Sequence, residues 1–289
     1  MPYADTEAIA AAIVSGAVRH AAAVFLAGYG LALAAREWAT RPSDARRGAL
    51  IQAGERLRLA APGDIGLNRF LDQALARADA ATMAGEDSEA ALLGLVQREI
   101  GRADRVAERC GRVAAGLLDE GDQVITPGFA GPALIWMLHV ALAEQAKPIT
   151  LAVLAEPDDD ARLCADLART IGLPVTLLEE AAPERALATA APAIFVAGAR
   201  RIAMDGATAC EPGAANYAAL ARQHGQPCYV LGDDGPDSTI ASFAPSGDVI
   251  PPDLISAIIT SRGIYRPEMI ARYLGDGDAP MDVIPLSLG

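Results

Sequence analysis

The sequence predicts an α/β protein with a mainly helical N-terminal domain followed by a domain built on a parallel sheet. In the first part, apolar side chains recur at helical spacing, most clearly in 43–60 and 88–121. After Gly121, short β-rich runs alternate with helical stretches, which is typical of parallel strands joined by crossover helices. We therefore predict two domains, at residues 1–118 and 119–289.

The apolar run 9–35 could be mistaken for a signal peptide or a membrane span. Ser15, Gly16, Arg19 and His20 interrupt it, and acidic residues without a basic segment precede it. The run therefore predicts a buried pair of amphipathic helices, and we expect no membrane partner.

The second domain is predicted to contain at least five strands and four helices. The predicted strands are Val124–Thr126, Ile149–Leu154, Val175–Leu178, Ile194–Ala197 and Cys228–Leu231, and the predicted helices lie at about 131–145, 161–171, 184–190 and 213–224. Such an alternation produces a parallel sheet covered on both faces, with ligands at the carboxyl ends of the strands.

Composition narrows the possible partners. The net charge of the 289 residues is −13, which disfavours binding to a nucleic-acid backbone. Lys147 is the single lysine, so arginines and backbone amides must bind any anionic ligand. Cys110, Cys164, Cys210 and Cys228 lie far apart, which predicts a reducing, cytoplasmic compartment without a disulfide framework. We expect no cofactor and no metal site.

Several segments resemble one superfamily in order and spacing. The strongest are DVIPPDLISAIITSRGIYRP at 248–267, QVITPGFAGPALIWMLHVA at 123–141 and the block from GARRI to YVLG at 198–232; SGAVRHAAA at 15–23 and APGDIGL at 61–67 are weaker. The superfamily contains methylthioribose-1-phosphate isomerase, ribose-1,5-bisphosphate isomerase and the regulatory α, β and δ subunits of initiation factor 2B. The resemblance implies a helical domain joined to a Rossmann-like domain that forms a homodimer.

The resemblance also implies where catalysis would occur. The isomerases of the superfamily are similar in using a cysteine in the first strand–helix turn and an aspartate in their GADRI motif; here these positions hold Gly128 and Arg200. Aldose–ketose isomerisation requires positioned acid and base groups or a dry pocket for hydride transfer. Glycine has no proton to give and a guanidinium stays protonated, so we expect the ancestral activity to be absent, as in a pseudoenzyme.

Positions that anchor the substrate in these isomerases differ as well. Ser15 and Ala61 replace the arginines of the family's RGA and RPT segments, while Cys210 and Glu211 replace the asparagine and lysine of NKIGT. A carboxylate in place of an ammonium repels phosphate. These changes point away from the ancestral substrate.

Alternative interpretations of the candidate residues remain open. The turn PGFAGP at 127–132 can bind an anion through free amides or serve only as a turn. The arginines at 200 and 201 can contact a ligand or form an ion pair with Asp205 or Glu211, and Cys210 can be a reactive thiol or a core residue. The candidate ligand-binding residues are Arg19, Gly128, Arg200, Arg201, Asp205, Cys210 and Glu211.

Three hypotheses about function follow. The favoured one is a non-isomerase that binds a phosphosugar or nucleotide-like metabolite, or a partner protein. The second is an intramolecular oxidoreductase acting on a modified pentose phosphate, in which Cys210, Glu211 or Asp205 transfers protons from new positions. The third is an assembly subunit that acts only through protein contacts and exposes a large apolar patch.

Overall fold

The computed structural model describes residues 3–18, 20–155, 159–179, 187, 192–233, 239–240 and 248–275. The chain forms two compact units, Met1–Ala103 and Asp104–Gly289. The division falls inside the fifth helix, whereas the sequence predicted a boundary at 118–121, just beyond the end of that helix.

The first unit is helical, as predicted. Its helices are α1 (Thr6–Val14), α2 (His20–Glu37), α3 (Ser43–Ala60), α4 (Ile65–Ala84) and α5 (Ser88–Ala115), the last of which continues into the second unit. The helix pair predicted for 9–35 is present as α1 and α2. Asp5 and Asp64 begin helices as N-caps, because their carboxylates accept hydrogen bonds from the backbone amides of Ala8 and Leu67.

Alanine and leucine fill the core of this unit. Leu31, Leu57 and Leu71 are fully buried. A Cβ on Gly28 would lie 2.4 Å from a methyl group of Val96, so this glycine allows helices to approach closely.

The second unit is built on a seven-stranded sheet and a four-stranded sheet. The strands are β1 (Gln123–Pro127), β2 (Thr150–Ala155), β3 (Val175–Glu179), β4 (Ala193–Gly198), β5 (Arg201–Ala203), β6 (Thr208–Ala209), β7 (Cys228–Leu231), β8 (Thr239–Ile240), β9 (Val249–Ile250), β10 (Ala257–Thr260) and β11 (Gly263–Tyr265). The large sheet has the order β11-β10-β7-β4-β1-β2-β3 and is parallel except for β11. The α/β fold class and all five predicted strands are confirmed.

In the described part of this unit, four further α-helices accompany the sheets. They are α6 (Pro132–His139), which continues as a π-helical turn over Val140–Glu144, α7 (Asp159–Thr170), α8 (Ala214–Gln223) and α9 (Ile270–Gly275). The predicted helix at 184–190 lies outside the described residues, apart from Leu187, which is helical and buried.

Both faces of the large sheet are buried, as expected for a parallel sheet. Adjacent residues of a strand point to opposite faces: Val124 and Val196 belong to one apolar core, and their neighbours Ile125 and Phe195 belong to the other. The sheet thus has hydrophobic strands throughout, which explains why short continuous apolar runs mark it in the sequence.

The sequence analysis did not predict the small sheet, whose order is β8-β5-β6-β9. Its strands are only two or three residues long, too short to produce a periodic pattern. Its β5–β6 hairpin begins directly after β4, and five of the seven candidate site residues lie in it or beside it: Arg200, Arg201, Asp205, Cys210 and Glu211.

Candidate functional site

The order of the large sheet places a candidate ligand edge between β1 and β4. The chain runs from β1 to β2 on one side and later returns to β4 on the other, and ligands bind at such a switch point, beyond the carboxyl ends of the strands. Gly128 follows β1 at this edge, and Gly198 ends β4. A Cβ on Gly198 would lie 2.6 Å from the carbonyl oxygen of Ala130, so the two loops are in close contact.

The turn after β1 provides backbone amides at this edge. Gly128 and Gly131 have φ values of +71° and +89°, which favour glycine, and Pro132 is the first residue of α6. No atom outside the neighbouring residues lies within 4 Å of a Cβ placed on Gly128, so the space above the turn is open. Free amides at a helix start can hold an anion but cannot exchange protons as an acid–base pair does.

Arg200 and Glu211 form an ion pair at the same edge. The Nε of Arg200 donates to Oε1 of Glu211 at 3.2 Å, and Nη2 donates to Oε2. The backbone amide of Arg200 donates to the carbonyl oxygen of Ala209 at 2.7 Å, which holds the start of the hairpin. The structure therefore places the two charged candidates together, in the ion pair that was one of the two interpretations left open.

Arg201 and Asp205 lie in the β5–β6 hairpin. Arg201 is the first residue of β5 and pairs with Ala209 of β6. The Oδ1 of exposed Asp205 accepts a hydrogen bond from the amide of Ala207 at 2.9 Å, which stabilises the turn of the hairpin.

Cys210 is buried in the same apolar core as Phe195 and Ile202, with only 1% of its surface exposed. Burial raises the pKa of its thiol well above the usual value, and the proximity of Cys228 and Glu211 raises it further. The thiol is therefore protonated at neutral pH and lacks the thiolate that nucleophilic or base chemistry requires.

Arg19 lies outside the described residues. Arg262, in the segment 248–267 that carries the family resemblance, donates through Nη2 to the carbonyl oxygen of Tyr273 at 3.0 Å, and its amide donates to Oγ1 of buried Thr260 at 3.1 Å. These bonds attach the end of β10 to α9.

The sequence analysis missed Gly198, although a glycine at the end of a buried strand is a signal of close backbone approach. It also left the partner of Arg200 undecided, because that depends on how the hairpin folds. Among the residues that the structure describes, no group of three His, Cys, Asp or Glu side chains is arranged to hold a metal ion.

Each unit also has a concave feature, and that of the second unit borders the turn after β1 through Phe129 and Pro132. In the second unit, an apolar groove of about 410 Å³ is lined by Phe129, Pro132, Ile135, Trp136, His139, Leu167 and Ile171. In the first unit, a polar cavity of about 290 Å³ is lined by Ala35, Ala39, Arg46, Leu50, Gly85, Glu86, Asp87, Ser88 and Glu89. The helices of the described part of the chain include none that is both long and apolar enough to span a bilayer.

The fold and the strand order define a class of two-domain α/β protein, and comparison with known families identifies the family. The model of the Initiation factor 2 subunit family matches residues 15–234, which is most of the chain. The protein therefore belongs to the Initiation factor 2 subunit family, as the resemblance predicted.

Curated relatives cover nearly the whole chain. The protein is 28% identical to methylthioribose-1-phosphate isomerase of Syntrophotalea carbinolica, with 93% of this chain and 90% of the relative aligned. It is 33% identical to the enzyme of the same name from Nitratidesulfovibrio vulgaris, with 86% and 73% aligned.

Solved structures show the same fold. The δ subunit of translation initiation factor eIF-2B from A. fulgidus matches with a TM-score of 0.74 at 22% identity, covering 96% of this chain and 93% of that one. Methylthioribose-1-phosphate isomerase from Pyrococcus horikoshii also gives a TM-score of 0.74 at 22% identity, covering 96% and 89%. The tetrameric eIF2B β2δ2 complex from C. thermophilum gives 0.63 at 15% identity, covering 94% and 93%.

Proposed function

We propose that this protein binds a phosphosugar or a nucleotide-like metabolite at the carboxyl edge of its large sheet, without the aldose–ketose isomerase activity of its named relatives. The observation that carries the proposal is the ion pair between Arg200 and Glu211. These positions correspond by motif to an aspartate and a lysine in the isomerases, so the charges are reversed while the pair stays neutral.

Charge reversal removes the base but keeps a cation at the site. Arg200 is a permanent hydrogen-bond donor, and its side chain is 40% exposed despite the ion pair. The amides after Gly128 lie at the same edge, across the contact between Gly198 and Ala130. An arginine and backbone amides are suited to phosphate, and neither can abstract a proton from a sugar carbon.

Isomerase activity on a modified pentose phosphate is the alternative, and the names of the aligned relatives favour it. The replacement groups would have to come from the residues near the hairpin. Against this, the Cys210 thiol is buried with a raised pKa, Glu211 is held by Arg200, and Asp205 stabilises a turn.

Thermal unfolding with ligands, followed by product analysis, tests the proposal. The panel is methylthioribose 1-phosphate, ribose 1-phosphate, ribose 1,5-bisphosphate and nucleoside monophosphates. A ligand that binds only the folded state raises the unfolding temperature. Stabilisation without a ketose product supports the proposal, whereas turnover of any stabilising sugar contradicts it. No stabilisation by any compound would favour a protein partner instead.

We further propose that residues 119–289 form the interface of a homodimer in the cytoplasm. Support comes from the shared fold, since one of the similar structures is a tetrameric complex. Measuring the mass of the purified protein in solution tests this part of the proposal independently of any ligand.

A further inference from the structure

The Arg200–Glu211 ion pair has the geometry with which proteins bind phosphate. Nε and Nη2 of Arg200 each donate to a different oxygen of Glu211, the first at 3.2 Å. Arginine holds two oxygens of a phosphate group through the same two-pronged arrangement. The carboxylate of Glu211 therefore occupies donors that an anionic ligand at this edge would use.

The pair is accessible enough to be opened. The side chain of Arg200 is 40% exposed and that of Glu211 is 19% exposed, so water reaches both partners. Exposed ion pairs are weak electrostatic contacts, because solvent screens the charges and two flexible side chains must be ordered. A phosphomonoester carries a charge of about −1.5 to −2 at neutral pH, more than the single charge of a carboxylate, and can therefore compete for the guanidinium.

The fold also offers Glu211 another favourable position. Helix α8 begins at Ala214, and its N-cap is Gly213, which has no side-chain acceptor. A carboxylate near the first turn of a helix is stabilised by the free amides and the helix dipole. Glu211 precedes this N-cap by two residues, and its carbonyl oxygen already accepts from the amide of Ala214 at 3.1 Å.

Resting on the function proposed above, we propose that Glu211 is an internal competitor for the anion that Arg200 binds, and that it leaves measurable binding only to anions that bind tightly, such as phosphomonoesters. The ligand-competent state is the one in which Arg200 is released, so the apparent affinity falls by the fraction of molecules in that state. This factor is the same for every anion that uses the guanidinium. The competition therefore leaves the preference between anions unchanged but lowers all affinities, so that dianions still bind while weaker monoanions such as phosphodiesters fall below measurable binding.

Isothermal titration calorimetry of the full-length protein with ribose 1-phosphate and with ribose 1,2-cyclic phosphate tests this inference. The first probe is a phosphomonoester, and the second is a monoanionic diester of the same sugar. We expect the wild type to bind only the first measurably. In Glu211→Gln the first probe should bind about tenfold more tightly, and the second should become measurable, because the amide is a much weaker competitor.

Three further variants complete the experiment. Arg200→Gln should lose binding of both probes. Glu211→Asp keeps the charge on a shorter side chain and should give an intermediate affinity, which preserves the test if one variant folds poorly. Glu144→Gln is the matched control, because it removes the same charge from another arginine–glutamate pair, in which Arg112 of α5 contacts Glu144 of the turn after α6, outside the predicted site.

The outcomes separate the two proposals. A gain confined to the Glu211 variants supports the internal competitor. Equal affinities in wild type and Glu211→Gln, an equal gain in Glu144→Gln, or undiminished binding in Arg200→Gln would overturn it while leaving ligand binding established. No binding of either probe by any variant would overturn the proposed phosphosugar function and this inference together.

Discussion

Gly128 has open surroundings but a left-handed backbone conformation. A larger side chain would therefore fit in the available space but would strain the backbone. A methyl group at this position meets no atom, yet φ is +71°. We therefore expect Gly128→Ala to lower the free energy of unfolding by about 1–2 kcal/mol through backbone strain alone. Urea unfolding measures this loss.

Gly225 is the matched control for this substitution. Its φ is also +71° and its surroundings are also open, but it follows α8, at the opposite end of that helix from Glu211. Both alanine variants should lose similar stability, and only Gly128→Ala should reduce the rise in unfolding temperature caused by ribose 1-phosphate. An equal reduction in both variants would argue against a ligand role for the turn after β1.

The four cysteines should be unreactive in the folded protein. All four are buried and none forms a disulfide, and burial raises the pKa of both Cys164 and Cys228 to about 12 and that of Cys210 well above its usual value. Thiolate is the reactive form, so raising the pH from 7 to 9 should not accelerate native labelling by a disulfide reagent. Four thiols should react after unfolding. Rapid native labelling at Cys210, located by peptide mapping, would instead favour the isomerase alternative.

At the scale of residues, the sequence predicted where the candidate site residues lie more accurately than which residues they contact. Gly128 and Arg200 were found because motif spacing fixes their place at the ends of strands. The partner of Arg200 was left open between Asp205 and Glu211, since either is within a few residues along the chain. Only the β5–β6 hairpin decides this: it keeps Asp205 in its turn and brings Glu211 to the guanidinium.

Among the elements, the end of α5 depends on the chain's single lysine. The Nζ of Lys147 donates to the carbonyl oxygen of Ala115 at 3.2 Å and to that of Leu118, just beyond the helix end; the carbonyl of Ala115 also accepts from the amide of Leu118 at 3.3 Å. We expect Lys147→Met to lower the free energy of unfolding by about 1–3 kcal/mol, because hydrogen bonds from a charged donor to partly buried carbonyls are lost. Chemical denaturation provides the measurement.

Arg169→Met is a suitable comparison, because it also removes one positive charge from the second unit. Arg169 pairs with Asp166 three residues earlier, on an exposed face of α7, and such pairs contribute about 0–1 kcal/mol. If both variants lost the same stability, the contact of Lys147 with the end of α5 would have no special role.

Helices and strands with long sequence patterns were predicted well, whereas the division into units depends on tertiary contacts that a sequence pattern does not show. Helix α3 was predicted at its observed bounds, because 18 residues give a clear helical period. The division between units was placed after α5 because the helical pattern ends there. In the structure Cys110, Ala114 and Leu118 already pack in the core of the sheet, so the helix belongs partly to the second unit. The periodicity of apolar residues indicates how long a helix is, but it does not show which hydrophobic core the helix packs into.

For the whole molecule, repulsion between the negative charges of two chains opposes formation of the proposed homodimer. Each chain carries a charge of −13, so two copies repel over distances comparable to the Debye length, about 10 Å at 0.1 M salt. The apolar groove between α6 and α7 shows that the second unit exposes surface whose burial does not depend on charge. Association that buries apolar surface against this repulsion should strengthen as salt is added.

We therefore expect the mass measured by light scattering to approach twice the chain mass of 29.8 kDa. Raising sodium chloride from 0.05 to 0.5 M shortens the screening length from roughly 14 Å to 4 Å, and should therefore suppress dissociation of the dimer on dilution. Weaker association at high salt would indicate an interface held by ion pairs. A mass of one chain at every concentration and salt level would contradict the homodimer. It would leave the ligand edge intact as a proposal, because the switch point between β1 and β4 is formed within one chain.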